Sequence, residues 1–112
     1  MKIICPSKVK EPYKSVISEL ALRARVEVEF VKQVRGNGFV TLDEDSEPVT
    51  PEKIKELVRD NVDFLVGGPN GIDTDGPKIS LGRYTLNHQI AIIVLLDLLF
   101  RAKYPNHPYN KH

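Results

Sequence analysis

The chain has 112 residues, 41% of them hydrophobic, and a formal net charge of +1. That length supports one domain with a real core, and that hydrophobic share excludes a disordered chain. The near-neutral charge excludes a global field that would draw nucleic acid to the whole surface. Any RNA contact must come from a local basic patch, or from an oligomer that doubles one. The single cysteine, Cys5, excludes an internal disulfide and a cysteine-rich zinc site. It lies in an apolar run and reads as a small buried hydrophobe. The run Met1 to Cys5 is too short for a signal peptide and Pro6 ends it. The apolar stretch 90–100 falls short of the ~20 residues a bilayer span needs. The expectation is a soluble, cytoplasmic protein with neither membrane nor DNA as a partner.

In chain order, Lys2 to Cys5 reads as a strand and Pro6 to Glu11 as a loop carrying Lys8 and Lys10. Pro12 suits a first helical turn, and Val16, Ile17, Leu20 and Ala24 then recur at helical spacing. Arg23 and Arg25 suit the negative end of that helix. From Val26 the pattern alternates, with Val26, Val28 and Phe30 opposed to Glu27 and Glu29, as in a half-exposed strand near a sheet edge. Arg35 to Gly38 is a turn. Phe39 to Leu42 is a third strand, polar only at Thr41, and reads as central.

Asp43 to Glu47 is an acidic run without fixed ligand geometry, so a solvated loop is expected rather than a metal site. Thr50-Pro51 is a helix start, a capping hydroxyl followed by proline, with Ile54, Leu57 and Val58 facing inward. Val62 to Val66 is a fourth strand that runs into Gly67-Gly68-Pro69-Asn70-Gly71, the sharpest bend in the chain. The loop to Lys78 is longer than a passive connection needs. Ile79 to Leu81 is a last short strand. Asn87 caps the final helix, His88 to about Lys103, which is apolar nearly all round. A helix with no polar face must be covered on more than one side, and a homodimer is the economical answer. Asp97 and Arg101 lie one turn apart and can pair. Pro105 stops the helix and leaves an extended tail. The order of elements argues for a three-layer α/β/α domain over residues 1–112 with a mostly parallel sheet.

Chemistry-bearing patterns are sparse. His88, His107 and His112 give no metal-ligand spacing, and no metal is expected. Neither a dinucleotide glycine fingerprint nor a phosphate-loop lysine is present. Three bends follow strands: after Leu42, at Gly67-Gly68, and at Gly82 to Leu86. If those strands are neighbours, the bends converge on one pocket whose main-chain groups could read a flat hydrogen-bonding ligand such as adenine. If they are not, the bends are three unrelated surface turns.

Six segments occur in an order that resembles the SPOUT-class methyltransferases of the RlmH type. They are Phe39 to Asp43, Phe64 to Gly71, Ser80-Leu81, Thr85-Leu86-Asn87-His88, Leu99-Phe100-Arg101-Ala102 and Asn106-His107-Pro108-Tyr109. The resemblance covers about residues 39–109, with a looser fit before them. It implies methylation of N3 of a large-subunit ribosomal RNA pseudouridine, with S-adenosylmethionine as donor and rRNA or the ribosome as partner. It also implies a C-terminal trefoil knot across about residues 62–104, a functional tail at 105–112 and a dimer packed through the knot.

By motif position Leu42, Gly67, Gly68, Gly82, Arg83, Tyr84, Thr85, Leu86 and Asn87 are expected to hold the donor. Arg101, His107 and Tyr109 are the catalytic candidates, with Asn106 and Pro108 beside them. In that reading Arg101 steadies negative charge on the target base, His107 acts as base and Tyr109 stacks on or bonds the nucleotide. His88 is read either as structural or as functional. Lys8, Lys10, Lys14, Arg23, Arg25, Arg83, Lys103 and Lys111 are candidates for a basic rim on the dimer.

The chain departs from the family pattern in four ways. It is shorter between the second and third strands, and between Pro69 and Ser80. It has Asn87 and Gln89 where prolines commonly flank the histidine. Its end, Asn110-Lys111-His112, differs from the usual one. Two rivals follow: the same chemistry on another RNA, and a silent knotted dimer that only binds RNA or a nucleotide.

Overall fold

The computed structural model describes residues 1–67, 74–82 and 86–108. Within them the chain runs β1 (Lys2–Cys5), α1 (Tyr13–Ala24), β2 (Glu27–Phe30), β3 (Val40–Leu42), α2 (Pro51–Arg59), β4 (Phe64–Leu65), β5 (Lys78–Ile79) and α3 (His88–Lys103). The five strands form one sheet in the order β2-β1-β4-β3-β5, and every pairing is parallel. The α/β class and the parallel sheet are those the sequence implies. β2 lies at an edge, as its Glu-Val-Glu-Phe alternation demands, and β3 lies inside the sheet.

The connections β1 to β2 and β3 to β4 each step one strand in the same direction. Right-handed crossovers therefore set α1 and α2 on the same face. α3 packs against both of them. Alternate residues of β1, β4, β3 and β5 (Ile3 and Cys5, Phe64 and, just past β4, Val66, then Val40 and Ile79) point into one cluster with Ile17, Ile54, Leu57, Ile92, Leu95, Leu96 and Leu99. Each such fully buried side chain contributes about 1.5–3 kcal/mol. Burial pushes the Cys5 thiol above its ordinary value, so it packs as a neutral hydrophobe. The other sheet face carries the buried Thr41, Leu65 and Ser80. Loop covers part of it: the Thr74 hydroxyl meets that of Thr41 at 2.9 Å.

Local chemistry fixes the helix ends. Thr50 Oγ1 accepts from the Lys53 amide at 3.1 Å, with Pro51 in the first turn of α2. Asn87 Oδ1 accepts from the Gln89 amide at 2.8 Å at the start of α3. α1 has no side-chain cap at its start, and Arg25 closes its end in the left-handed region, φ 55°. Lys103 then reaches across from α3, and its Nζ donates to the Ala24 and Arg25 carbonyls at 2.7 and 3.1 Å. Val16, assigned by spacing to the buried face of α1, is instead 41% exposed. Ile17 and Ala24 take the core, with Leu20 half-buried beside them.

Candidate active site

Because the sheet is parallel, all five strands end at the same edge. β4, β3 and β5 are consecutive neighbours, so the bends after Leu65-Val66, Leu42 and Ser80 open side by side. Leu42 is half-buried at the end of β3, and the Asp43 amide just beyond it donates to the Ile79 carbonyl at 2.9 Å. Gly67 is half-buried just after β4. Gly82 has φ 145°, a conformation that side-chain-bearing residues rarely adopt.

Ser80 builds that last bend. Its hydroxyl accepts from the Gly82 amide at 3.0 Å and donates to the Gly82 carbonyl. Its own backbone joins Pro48 in a parallel bridge, with the Val49 amide on its carbonyl at 2.8 Å. Sequence reading treats Ser80 as a polar position in a strand. The available signal was a serine two residues before a glycine, the spacing of a hydroxyl-closed turn.

Leu86 is 39% exposed, and Asn87 is exposed and committed to its cap. Gly68, Arg83, Tyr84 and Thr85 lie outside the described residues, as does Tyr109. Next to Asn87, His88 Nε2 lies 3.0 Å from the Lys8 carbonyl, to which it donates, and Gln89 Oε1 accepts from the Lys10 amide at 2.7 Å. The β1–α1 loop is thereby tied to the start of α3. Nothing in the residues around Gln89 announces this contact, 79 positions away in the chain.

The catalytic candidates stand elsewhere. α3 starts at the carboxyl edge and ends beside Ala24 and Arg25, at the amino edge. Arg101 is thirteen residues beyond His88, about 20 Å along the axis at the helical rise. Its Nε donates to Asp97 Oδ2 at 2.9 Å, with both side chains half-exposed. The His107 amide donates to the Tyr104 carbonyl at 3.1 Å, and its ring meets Phe100 edge-on at 5.0 Å. Asn106 and Pro108 are exposed. Within one chain, Arg101 and His107 are thus brought to each other's end of α3 but not to the three bends.

Among the described residues no cluster of His, Cys, Asp or Glu could hold a metal ion, and no helix is long and apolar enough to cross a membrane. A shallow groove of about 630 Å³ lies away from the bends, between α1 and edge strand β2, with Ile17, Ala21, Leu22, Val28 and Phe30 among its lining residues.

A family model described as predicted SPOUT methyltransferase matches residues 1–110, nearly the whole chain. The chain belongs to the SPOUT methyltransferase family. Among curated relatives, a ribosomal RNA large subunit methyltransferase H of Thermosipho melanesiensis is 32% identical over 86 aligned positions, covering 68% of this chain and 57% of that protein. One of the same name from Campylobacter concisus is 31% identical over 120 positions, covering 98% and 77%. A putative RNA methyltransferase of Arabidopsis thaliana is 34% identical over 97 positions, covering 72% and 50%. The SPOUT chain therefore spans little more than half the length of several of its relatives.

Proposed function

We propose that this chain is an S-adenosylmethionine-dependent methyltransferase acting, as a homodimer, on N3 of a pseudouridine in large-subunit ribosomal RNA. The observation that carries the reading is the adjacency of three bends on β4, β3 and β5 at one sheet edge. Small ligands of open α/β sheets bind just outside the carboxyl ends of the strands. The residues present there suit the donor. Gly67 and Gly82 put no side chain between ligand and main chain, and Leu42 offers a half-buried apolar surface. The Ser80 hydroxyl is consumed by the bend, so main-chain groups would read the adenine. Gly68 and the run Gly82 to Asn87 complete the proposed donor set. The knot across about 62–104, within one domain of residues 1–112, is part of the same proposal. Its path runs through residues outside the described ones.

When bound, the donor supplies an electrophilic methyl group. The protein's task is alignment of the acceptor and management of one proton. In this reading the His107 ring takes the N3 proton, Arg101 holds the charge that develops on a ring oxygen, and Tyr109 contacts the base. The ion pair of Arg101 with Asp97 does not oppose this. An exposed pair one helical turn apart stabilises by only about 0.3–0.5 kcal/mol, so contact with substrate can replace it.

The span of about 20 Å along α3 from His88, at the edge where the bends lie, to Arg101 supports the dimer. A second copy, docked on the part of α3 that this chain leaves half-buried (Ile90, Ile93, Val94 and Leu98), brings its tail to the first copy's bends. Calorimetry with S-adenosylmethionine tests the donor site, with saturable binding expected. Mass mapping of ribosomal RNA from a deletion strain tests the substrate. One missing methyl on a large-subunit pseudouridine is expected, and an unchanged profile would overturn the assignment.

A further inference from the structure

The carboxyl edge of the sheet is electrically divided. On the β1 side stand Lys8 and Lys10 in the β1–α1 loop and Lys14 in the first turn of α1, all exposed, with Glu11 the one carboxylate among them. Among the described residues these three lysines form no ion pair, as is also true of Lys32 and Arg35 after β2 at the same edge, whereas Lys2, Arg23, Lys53, Lys78 and Arg101 each meet a carboxylate. On the β3 side stand Asp43, Glu44, Asp45 and Glu47, where Lys78 reaches Asp43 at 3.9 Å. The order β1-β4-β3 puts two inter-strand spacings, about 10 Å, between the two lips. That is about one Debye length at physiological salt, so a phosphate at either lip feels chiefly that lip.

The basic lip is also held rigidly. His88 donates to the Lys8 carbonyl at 3.0 Å. The Lys10 amide donates to Gln89 at 2.7 Å, and the Lys10 carbonyl accepts from the Lys14 amide at 3.0 Å. Gln89 is only 7% exposed, so a buried polar side chain is committed to a surface loop. Such fixing lowers the ordering cost when the lysines meet a partner.

We infer that the β1–α1 loop is the phosphate-binding lip of this site. Lys8, Lys10 and Lys14 receive the RNA backbone, His88 and Gln89 are positioning residues that hold the loop against α3, and the strand enters over β1 and stays clear of Asp43 to Glu47. This rests on the RNA methyltransferase reading. It narrows the candidate rim, because Arg23, Arg25 and Lys103 sit at the opposite, amino edge, and Lys103 is committed to main-chain carbonyls.

The test is fluorescence anisotropy with a labelled RNA hairpin of large-subunit ribosomal sequence, from 50 to 200 mM salt, beside calorimetry with S-adenosylmethionine. Replacing Lys8, Lys10 and Lys14 together by Gln should lower the salt slope by about 2, so that wild type loses ~20-fold more affinity than the variant over that range. Donor binding should be unchanged. At 150 to 200 mM salt, replacing Glu44 and Glu47 by Gln should leave RNA affinity within about twofold, as charges a Debye length or more apart are then largely screened. Gln89→Leu should expose the Lys10 amide to hydrogen exchange and weaken RNA binding several-fold.

A wild-type slope in the lysine variant would overturn the lip, as would equal and opposite effects of the lysine and glutamate variants. Exchange without loss of RNA affinity in Gln89→Leu would overturn the positioning role. If wild type binds neither RNA nor donor, the proposed function falls as well. If it binds both and the lysine variant matches it, only the lip falls.

Discussion

The two ends of α3 solve the same problem by different means. At its start, three successive polar side chains share the work: Asn87 caps the helix while His88 and Gln89 tie down the β1–α1 loop. At its end, one long side chain does the tying, as Lys103 reaches two carbonyls of α1. Phe100, Tyr104 and His107 add an aromatic cluster there. The starting end lies beside glycine-built bends and the finishing end carries Arg101 and His107. A ligand read by main chain and a base handled by side chains would thus be served from opposite ends of one helix. The eleven residues from Ile90 to Phe100, apolar but for Asp97, hold those ends apart.

Four changes break or sharpen that contrast. The largest effect falls on the helix that both ends share. Leu95 is fully buried in the core, and Leu95→Ala should cost about 2–5 kcal/mol in urea unfolding through the cavity left behind. Loss of under about 1 kcal/mol would mean that α3 does not anchor the fold. Next is Lys103→Met, which leaves two carbonyls at the end of α1 without their charged donor and should cost about 1.5–3 kcal/mol.

The pH dependence of that second variant has a definite sign. Burial, and then the neighbouring Arg25 cation, lower the Lys103 pKa below its ordinary 10.5. The folded state therefore binds fewer protons at this site than the unfolded chain just below 10.5. Wild-type stability gains from Lys103 as pH rises through that window, and the gap to Lys103→Met should widen. A gap that narrows toward pH 10.5 would show that the carbonyl bonds outweigh burial.

At the starting end, Gly82→Ala forces a side chain into φ 145°. It should cost about 1 kcal/mol and weaken donor binding more than tenfold, because the bend must shift. Unchanged calorimetry would remove Gly82 from the donor site. The smallest stability effect belongs to Asp97→Asn, about 0.5 kcal/mol or less by thermal melting, since the pair with Arg101 is exposed.

Where the sequence was legible, the governing physics is local. The bounds of α3, its Asn87 cap, the Thr50-Pro51 start of α2 and the edge position of β2 all follow from residues within a few positions of each other. The neighbourhood of β4, β3 and β5 was a condition in the sequence reading, because adjacency in a parallel sheet is decided by crossovers and not by any one strand. The tethers from Gln89 and Lys103 span 79 residues each, so nothing near either residue announces its partner. Val16 shows the limit of periodicity alone. It keeps helical spacing with Leu20, yet the neighbouring elements cover the adjacent Ile17 and leave Val16 exposed. Asn87 and Gln89 gain a structural account: a cap and a tether that prolines, which the family resemblance leads one to expect there, could not supply.

Mixing two inactive variants tests the central claim most directly. Gly82→Val damages the bends and leaves the tail intact, whereas Arg101→Ala does the reverse. If bends of one copy work with the tail of the other, a random one-to-one mixture makes half its dimers mixed, each with one intact site of two. Methylation of large-subunit ribosomal RNA should then recover to about a quarter of wild type, as expected for a symmetric two-site dimer. No recovery, in a mixture shown to exchange subunits, would contradict a site shared between two copies.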